Sequence, residues 1–293
     1  MAIGTETSYL VAGAGGMLGT ALRQVLTGRG TPFEAPDERS FDITDRVAVE
    51  KMVGRFASGV RARGVLVNAA AYTDVERAED EAAVAYRVNE DGARNLAEAA
   101  RAAGLGFVHI STDFVFDGAK AGAYTEDDET NPLSIYGASK RAGERAVREA
   151  YPEALVVRTA WAFGPGGVNF PSKILGLARQ RQQLSVVTDE VGSPTFTVDL
   201  AGGIVALLEV GAEGLLHLTG AGSCSRFELA AEVLRLAGLR RDLVPVSTNA
   251  FPSRVARPAN SVLDCSKAAA LGVTMPSWRD GLARFMAAGP TEG

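Results

Sequence analysis

Tyr136 and Lys140, in the run SIYGASKRAGE, stand four residues apart. On a helix that spacing puts both side chains on one face, one turn from each other. A phenol can hand over its proton. An ammonium one turn away favours the phenolate and lowers an ordinary tyrosine pKa of about 10. Thr112, in HISTDFVF, adds a hydroxyl able to orient a carbonyl. Near the start, GAGGMLG carries Gly13, Gly16 and Gly19 after a short apolar run. Glycines let the backbone turn sharply and approach a pyrophosphate. The helix N-terminus that follows offers unpaired N–H groups and a positive dipole end. A dinucleotide cradle and a proton donor together imply an enzyme that brings a hydride and a proton to one carbonyl.

These residues meet only if the fold gathers them on one rim. Apolar runs at 9–12, 64–68, 106–111 and 154–159 read as strands, with a weaker one at 32–35. Helical patterns alternate with them: from the glycine turn to about 27, after a cap at Asp45, over 80–103, and from Tyr136 to about 150. Unbroken apolar strands such as LVAG and GVLVN fit a parallel sheet covered on both faces. The fold class is therefore α/β, a Rossmann-like doubly wound parallel sheet. In such sheets ligands bind beyond the carboxyl ends of the strands. Gly13, Ala69, Thr112 and Trp161 each fall just past an expected strand end. The second half is less regular. Helices are expected over 167–180, 198–208, 226–236 and 278–286, with strands at LSVVTD and LLHLTG and a Pro- and Ser-containing stretch between the last two helices. We read 1–163, rejoined by about 190–221, as a dinucleotide-binding domain, and 164–189 with 222–293 as a smaller substrate-binding lobe.

Composition narrows the function classes. The chain has 293 residues, 46% hydrophobic and 22% charged, with a net charge of -5. That profile suits a globular protein and lacks the basic stripe that nucleic-acid binding needs. A few local arginines still suffice for an anionic small molecule. Cys224 and Cys265 lie in no CxxC motif, and we read them as free thiols. His109 and His217 sit in apolar strand-like runs, as core residues, and no metal motif is expected. No run is long and apolar enough for a membrane span. The opening MAIGTETSYL lacks the pattern of a signal peptide, so a cytoplasmic protein is expected, ending in a loose tail over 288–293. No internal repeat is found.

The cofactor type stays open on the residues alone. A ribose-binding acid is expected roughly 20 residues after the glycines, and Asp37, Glu38 and Arg39 follow the second strand. An acid there suits the 2′-hydroxyl of NADH, and Arg39 suits the 2′-phosphate of NADPH. Asp42, in FDITD beside Ile43, can accept from an adenine amino group or cap the next helix, a role for which Asp45 competes.

Taken together, GAGGMLG, FDITD, VNAAAYTDVERAE, RVNEDGARNLA, HISTDFVFDG, PLSIYGASKRAGE, RTAWAFGPGGVNF, GSPTFTVDLA, GLLHLTGAG and RPANSVLD resemble the extended short-chain dehydrogenase/reductase superfamily. Within it the chain is similar to the dTDP-4-dehydrorhamnose reductase family, over about Gly13 to Asp264. The resemblance implies a catalytic Thr112, Tyr136 and Lys140. It implies a cofactor site of Gly13, Gly16, Met17, Leu18, Arg39, Asp42, Ile43, Ala69, Ala70, Ala71, Tyr136 and Lys140, taking NADPH or NADH. Met17 and Leu18 would cover the pyrophosphate, and the three alanines would line the cofactor. For substrate it points to Thr73, Val75, Thr112, Asp113, Tyr136, Trp161, Asn169 and Arg257. Trp161 would stack on the sugar-nucleotide and Arg257 would pair with its pyrophosphate. Asn89 would support the site from inside a helix, or else be an exposed helix residue.

One departure bears on the reaction. Related sugar-nucleotide dehydratases place Thr-Asp-Glu where this chain has Thr112, Asp113 and Phe114. Elimination needs that extra acid; carbonyl reduction does not. Ala14 and Gly15 also replace larger polar residues of some relatives. The expected function is reduction of the C4 ketone of dTDP-4-dehydro-L-rhamnose to dTDP-L-rhamnose, for cell-surface polysaccharide synthesis. The rivals are another deoxysugar-nucleotide ketoreductase or epimerase, and a non-catalytic dinucleotide-binding regulatory subunit. The expected partner is a dTDP-sugar, with neither nucleic acid nor membrane, in a monomer or homodimer.

Overall fold

The protein, a computed structural model, is described over residues 7–251 and 254–289. The first six residues of the opening run and residues 290–293 of the expected tail lie outside the described residues. Six strands form one all-parallel sheet: β1 (Thr7–Ala12), β2 (Phe33–Glu34), β3 (Arg63–Asn68), β4 (Gly106–Thr112), β5 (Leu155–Thr159) and β6 (Gly214–His217). Their spatial order is β2-β1-β3-β4-β5-β6. The chain runs outward from β1 to β2, then crosses back to β3 on the other side of β1. That reversal is the switch point where doubly wound sheets open a crevice.

Alternation along each strand feeds two layers. Tyr9, Val11, Val65, Val67 and Val157 face the helices Met17–Gly28 and Thr197–Glu209 through Leu22, Leu26, Leu200 and Ile204. Leu10, Leu66, Phe107 and Val156 face the opposite layer, with Val49, Val53, Leu96 and Val147. A third cluster gathers Phe163, Ile174, Leu184, Leu229, Trp278 and Phe285 from later segments. His109 and His217 are buried in the core. Cys224 and Cys265 are free thiols, the first buried.

Two elements differ from the sequence expectation. The long helix over 80–103 is broken into Ala82–Tyr86, a π-helical turn Arg87–Gly92, and Ala93–Ala102. Such turns widen a helix locally and recur at functional sites. The Pro- and Ser-containing stretch includes a strand, Asp242–Val246, paired in parallel with Gln183–Val187. Pro245 is tolerated because this pair has two strands and each is an edge. No helix among the described residues is long and apolar enough to cross a membrane.

Candidate active site

The cofactor cradle is built by backbone contact. Gly13 adopts φ 78 just past β1, and a Cβ there would lie 2.4 Å from the Ala70 nitrogen. The ends of β1 and β3 thus touch at the switch point, and only glycine permits it. A Cβ on Gly19 would stand 2.2 Å from the Gly13 carbonyl oxygen, so the helix packs directly on the turn. That helix starts at Met17 with Gly16 as an uncapped N-cap and no acid in its first turn. Its first N–H groups are left for an anion, which is what a dinucleotide pyrophosphate requires, so the residues fit such a group. Met17 lies under the loop at Gly167, where a Cβ would meet its Cγ at 2.7 Å. Leu18 packs on the first core layer. Ala69, Ala70 and Ala71 are half-buried at the same rim.

The adenine side is less uniform. Asp42 Oδ1 accepts from the Thr44 N–H and hydroxyl, both at 2.8 Å. Asp45, not Asp42, caps the following helix, accepting from Val47 N at 3.0 Å and Ala48 N at 3.1 Å. Ile43 departs from the expectation: its side chain is buried against Gly92, and its carbonyl accepts from Asn95 Nδ2 at 3.1 Å. The branched chain favours the core over the rim. Asp37 Oδ1 accepts from the Ser40 N–H at 2.9 Å and hydroxyl at 2.6 Å, bonds that hold its pKa below the ordinary value. Arg39 is exposed beside it.

Thr112 ends β4, opposite Thr159 of β5. Its hydroxyl donates to Asp113 Oδ1 at 2.9 Å and accepts from Phe114 N at 3.2 Å. Tyr136 and Lys140 lie on the helix Ile135–Ala150, which Ser134 caps through Gly137 N at 3.2 Å. A Cβ on Gly137 would strike the Phe114 carbonyl oxygen at 2.2 Å, so this helix sits hard against the strand end that carries Thr112. Asn89, within the π-helical turn and buried, ties the two sides together. Its Oδ1 accepts from Tyr72 N at 2.8 Å, and its Nδ2 donates to Tyr72 O at 3.1 Å and Ser139 Oγ at 2.9 Å. Ser139 Oγ in turn donates to the Tyr136 carbonyl at 2.8 Å.

The electrostatics correct one sequence expectation. Tyr136 was expected to be made more acidic by Lys140. Burial instead pushes its phenol up to about 12, with the Thr112 hydroxyl pulling down and the Asp113 charge pushing up. Lys140 Nζ donates to the Ile110 carbonyl at 2.6 Å, and burial brings its pKa down to about 8 against the pull of Glu144. At Lys140, which is buried, desolvation outweighs the one opposing charge; at Tyr136, half-buried, the amine is not among the causes of the shift, its Nζ being bonded to the Ile110 carbonyl. Asp113 is pushed up to about 6 by burial, eased by Ser261, Thr112 and Arg226. Its Oδ2 is buried and has no partner at hydrogen-bond geometry among the described residues, an acceptor open for a ligand hydroxyl.

The remaining substrate candidates separate. Trp161 lies two residues beyond Thr159, at φ 45, a conformation costing a bulky residue on the order of 1–3 kcal/mol. Asn169 is spent locally. Its Oδ1 accepts from Ser172 N at 3.1 Å, and its Nδ2 donates to Gly164 O at 3.0 Å and Gly167 O at 3.2 Å. It caps the helix Phe170–Gln180 and has no N–H left for a substrate. Arg257 pairs with Glu76 at 2.9 Å; Thr73 is exposed in the loop after β3, and Val75 opens the short helix Val75–Ala78 that carries Glu76. Sequence reasoning missed Arg226, whose guanidinium covers the Trp161 ring at 3.4 Å, and its ion-pair partner Glu190 at 3.3 Å. A signal existed: an arginine at the first position of a helix opposes the dipole. No group of three or more acidic, His or Cys side chains able to hold a metal occurs among the described residues.

The chain matches the family model described as RmlD substrate binding domain over residues 7–289. A dTDP-4-dehydrorhamnose reductase of Mycobacterium tuberculosis is 40% identical, over 97% of this chain and 94% of its own. A dTDP-4-keto-6-deoxy-D-glucose reductase of Streptomyces niveus is 41% identical, over 87% of this chain and 88% of its own. Among solved structures, dTDP-4-dehydrorhamnose reductase of Bacillus anthracis in complex with NADP superposes with a TM-score of 0.90 at 37% identity, covering 97% of this chain and 99% of its own. With the glycine turn, the Tyr136–Lys140 helix and the Thr112 strand end standing on one rim, this chain belongs to the RmlD substrate binding domain family.

Proposed function

We propose that this protein reduces the C4 ketone of dTDP-4-dehydro-L-rhamnose to dTDP-L-rhamnose in the cytoplasm, using NADPH or NADH. The observation that carries the reading is the half-buried Tyr136, one turn from the buried Lys140 on a helix packed against the strand end that carries Thr112, with burial raising the phenol pKa so that it holds its proton. The reduced nicotinamide, when bound, supplies the hydride. Thr112 orients the ketone, and Tyr136 delivers the proton to the oxygen that gains charge. An alkoxide is about as basic as hydroxide, whose conjugate acid has a pKa of about 15.7. A phenol at about 12 therefore gives up its proton downhill. Its high pKa serves reduction, since it keeps the proton in place until the alkoxide forms. Lys140, anchored through Ile110, presents its remaining N–H bonds to the cofactor ribose, and Asp113 Oδ2 accepts from a sugar hydroxyl.

The test is oxidation of NADPH and NADH, each with dTDP-4-dehydro-L-rhamnose, followed by nicotinamide absorbance. Turnover supports the reading, and its absence with both cofactors refutes it. The Streptomyces niveus relative favours one second reading, in which the 4-ketone belongs to a 6-deoxy-D-glucose; that ketosugar forms the other arm of the assay.

Two further outcomes are expected. The kcat/KM profile is bell-shaped: it rises as Asp113 loses its proton through about 6 and falls as Lys140 loses its own through about 8. A flat profile between pH 5 and 9 (roughly the span a bell of this kind occupies) would remove both assignments. For the cofactor, Asp37 is turned onto Ser40 while Arg39 is exposed beside it, where a 2′-phosphate could meet it. Arg39→Ala is expected to raise KM for NADPH about tenfold, the scale of one charge-assisted bond, with NADH little changed. Equal effects on both cofactors would end that assignment.

A further inference from the structure

A second arrangement surrounds Trp161 that neither the proton relay nor the cofactor cradle uses. Thr159 is the register partner of Thr112, so Trp161 leaves the sheet beside the catalytic strand end. One edge of the indole lies over Gly192, where a Cβ would stand 2.4 Å from its Cε2. One face carries the Arg226 guanidinium, its carbon 3.4 Å from the ring centre. Arg226 Nε donates to Glu190 Oε2 at 3.3 Å, its backbone N donates to the Glu190 carbonyl at 3.2 Å, and the Phe170 ring is 5.0 Å away. The Arg226 and Glu190 side chains keep 16% and 12% of their surface exposed, so the stack and ion pair are largely shielded from water. Trp161 itself is only half-buried, which leaves part of the ring open at the rim. The Arg226 charge also reaches Asp113 and Arg257.

We propose that Arg226 is a positioning residue for the sugar: clamped between Trp161 and Glu190, it fixes the indole as a rigid wall beside Thr112 and Asp113 and so sets affinity for the hexose. A planar guanidinium suits this work because it stacks on the ring while its Nε–H holds a carboxylate. A ring with a strained backbone needs such restraint, since strain persists only where neighbours over-determine the conformation. The clamp acts before hydride transfer, on ground-state and transition-state binding alike, so it belongs in KM and not in kcat.

The proposal rests on the ketosugar-reductase reading, and its test separates the two. Arg226→Ala, Arg226→Lys, Trp161→Phe and the double variant Arg226→Ala/Trp161→Phe are compared with the parent by steady-state kinetics and tryptophan emission. Arg226→Ala should raise KM for the ketosugar about tenfold, the scale of one shielded cation–π contact. It should leave kcat and the cofactor KM near the parent values and shift the emission. The same change made in the Trp161→Phe background should leave the emission unchanged and add no further loss in KM, because the two residues act as one unit. Arg226→Lys should recover part of the affinity. If Arg226→Ala fails to fold, Arg226→Met, which keeps the stem, carries the same expectations. Additive losses in the double variant, or a fall in kcat with unaltered emission, overturn the clamp. The emission arm needs no substrate: if the parent reduces no ketosugar but Arg226→Ala still shifts the emission, the clamp stands and the reductase reading is refuted instead.

Discussion

A Tyr136→Phe variant is expected to bind reduced cofactor as the parent does and to lose roughly a hundred- to ten-thousandfold in kcat, the usual worth of a positioned general acid. The substitution is clean. The ring of Tyr136 meets Phe114 edge-on, centroids 5.5 Å apart at 72°, and phenylalanine preserves that contact. Thr112 keeps its bonds to Asp113 and Phe114 N, so no hydroxyl is stranded. The change removes only the hydroxyl of a half-buried ring, so stability should hold. Cofactor titration by nicotinamide fluorescence and single-turnover reduction measure the two quantities separately. A variant that turns over within tenfold of the parent (about 1.4 kcal/mol of barrier) would show that water or another group protonates the alkoxide. The raised phenol pKa adds a directional expectation: alcohol oxidation, which needs the phenolate, should be slow below the pKa of about 12.

The contrast between what was legible and what was not follows the range of the interactions. The glycine turn was legible because its constraint is local: Gly13 and Gly19 must lack side chains for the strand and helix to touch. The Tyr136–Lys140 face was legible from helical spacing, and Ser225 with Glu228 marks the start of the helix Arg226–Leu236 through a capping box. The sign of the Tyr136 shift was not legible, since desolvation is set by the whole fold and the Lys140 amine is turned to the Ile110 carbonyl. The burial of the Ile43 side chain was not legible for the same reason, because it depends on Gly92 of the π-helical turn. Asn169 is the converse case: its capping pattern with Ser172 is local and legible in the chain. The Arg226–Trp161 stack joins segments far apart in sequence, and only the folded chain brings them together.

The catalytic helix is held by one more distant pair, and the largest stability effect is expected there. Arg158 of β5 donates from Nε and Nη2 to the two Glu144 carboxylate oxygens, at 2.8 and 2.7 Å, with side chains 4% and 7% exposed. Glu144 lies one turn past Lys140 on the same helix face, so the pair fixes that helix against the sheet. Burial and the Arg158 charge push His217 down to about 3, which keeps it neutral. Its Nδ1 can then donate to the Tyr124 carbonyl at 3.1 Å while Nε2 faces Arg158 Nη1 at 3.5 Å. Arg158→Met strands the Glu144 carboxylate and is expected to cost about 3–5 kcal/mol, a fall in Tm of roughly 10 °C for a chain of this size. Both residues also line a cavity of about 440 Å³ with Arg141, Arg145 and Arg148, and water entering it should hold the loss near the lower figure. Replacing both partners, Arg158→Met with Glu144→Leu, should restore most of the stability, because two buried charges are desolvated at a cost near their mutual attraction. The double variant decides what the pair is for. If it melts like the parent but reduces the ketosugar slowly, the ion pair sets the register of Tyr136 and Lys140 against Thr112. If it melts and reacts like the parent, apolar packing alone places the helix. Urea unfolding and kcat, measured on the parent and both variants, distinguish the two.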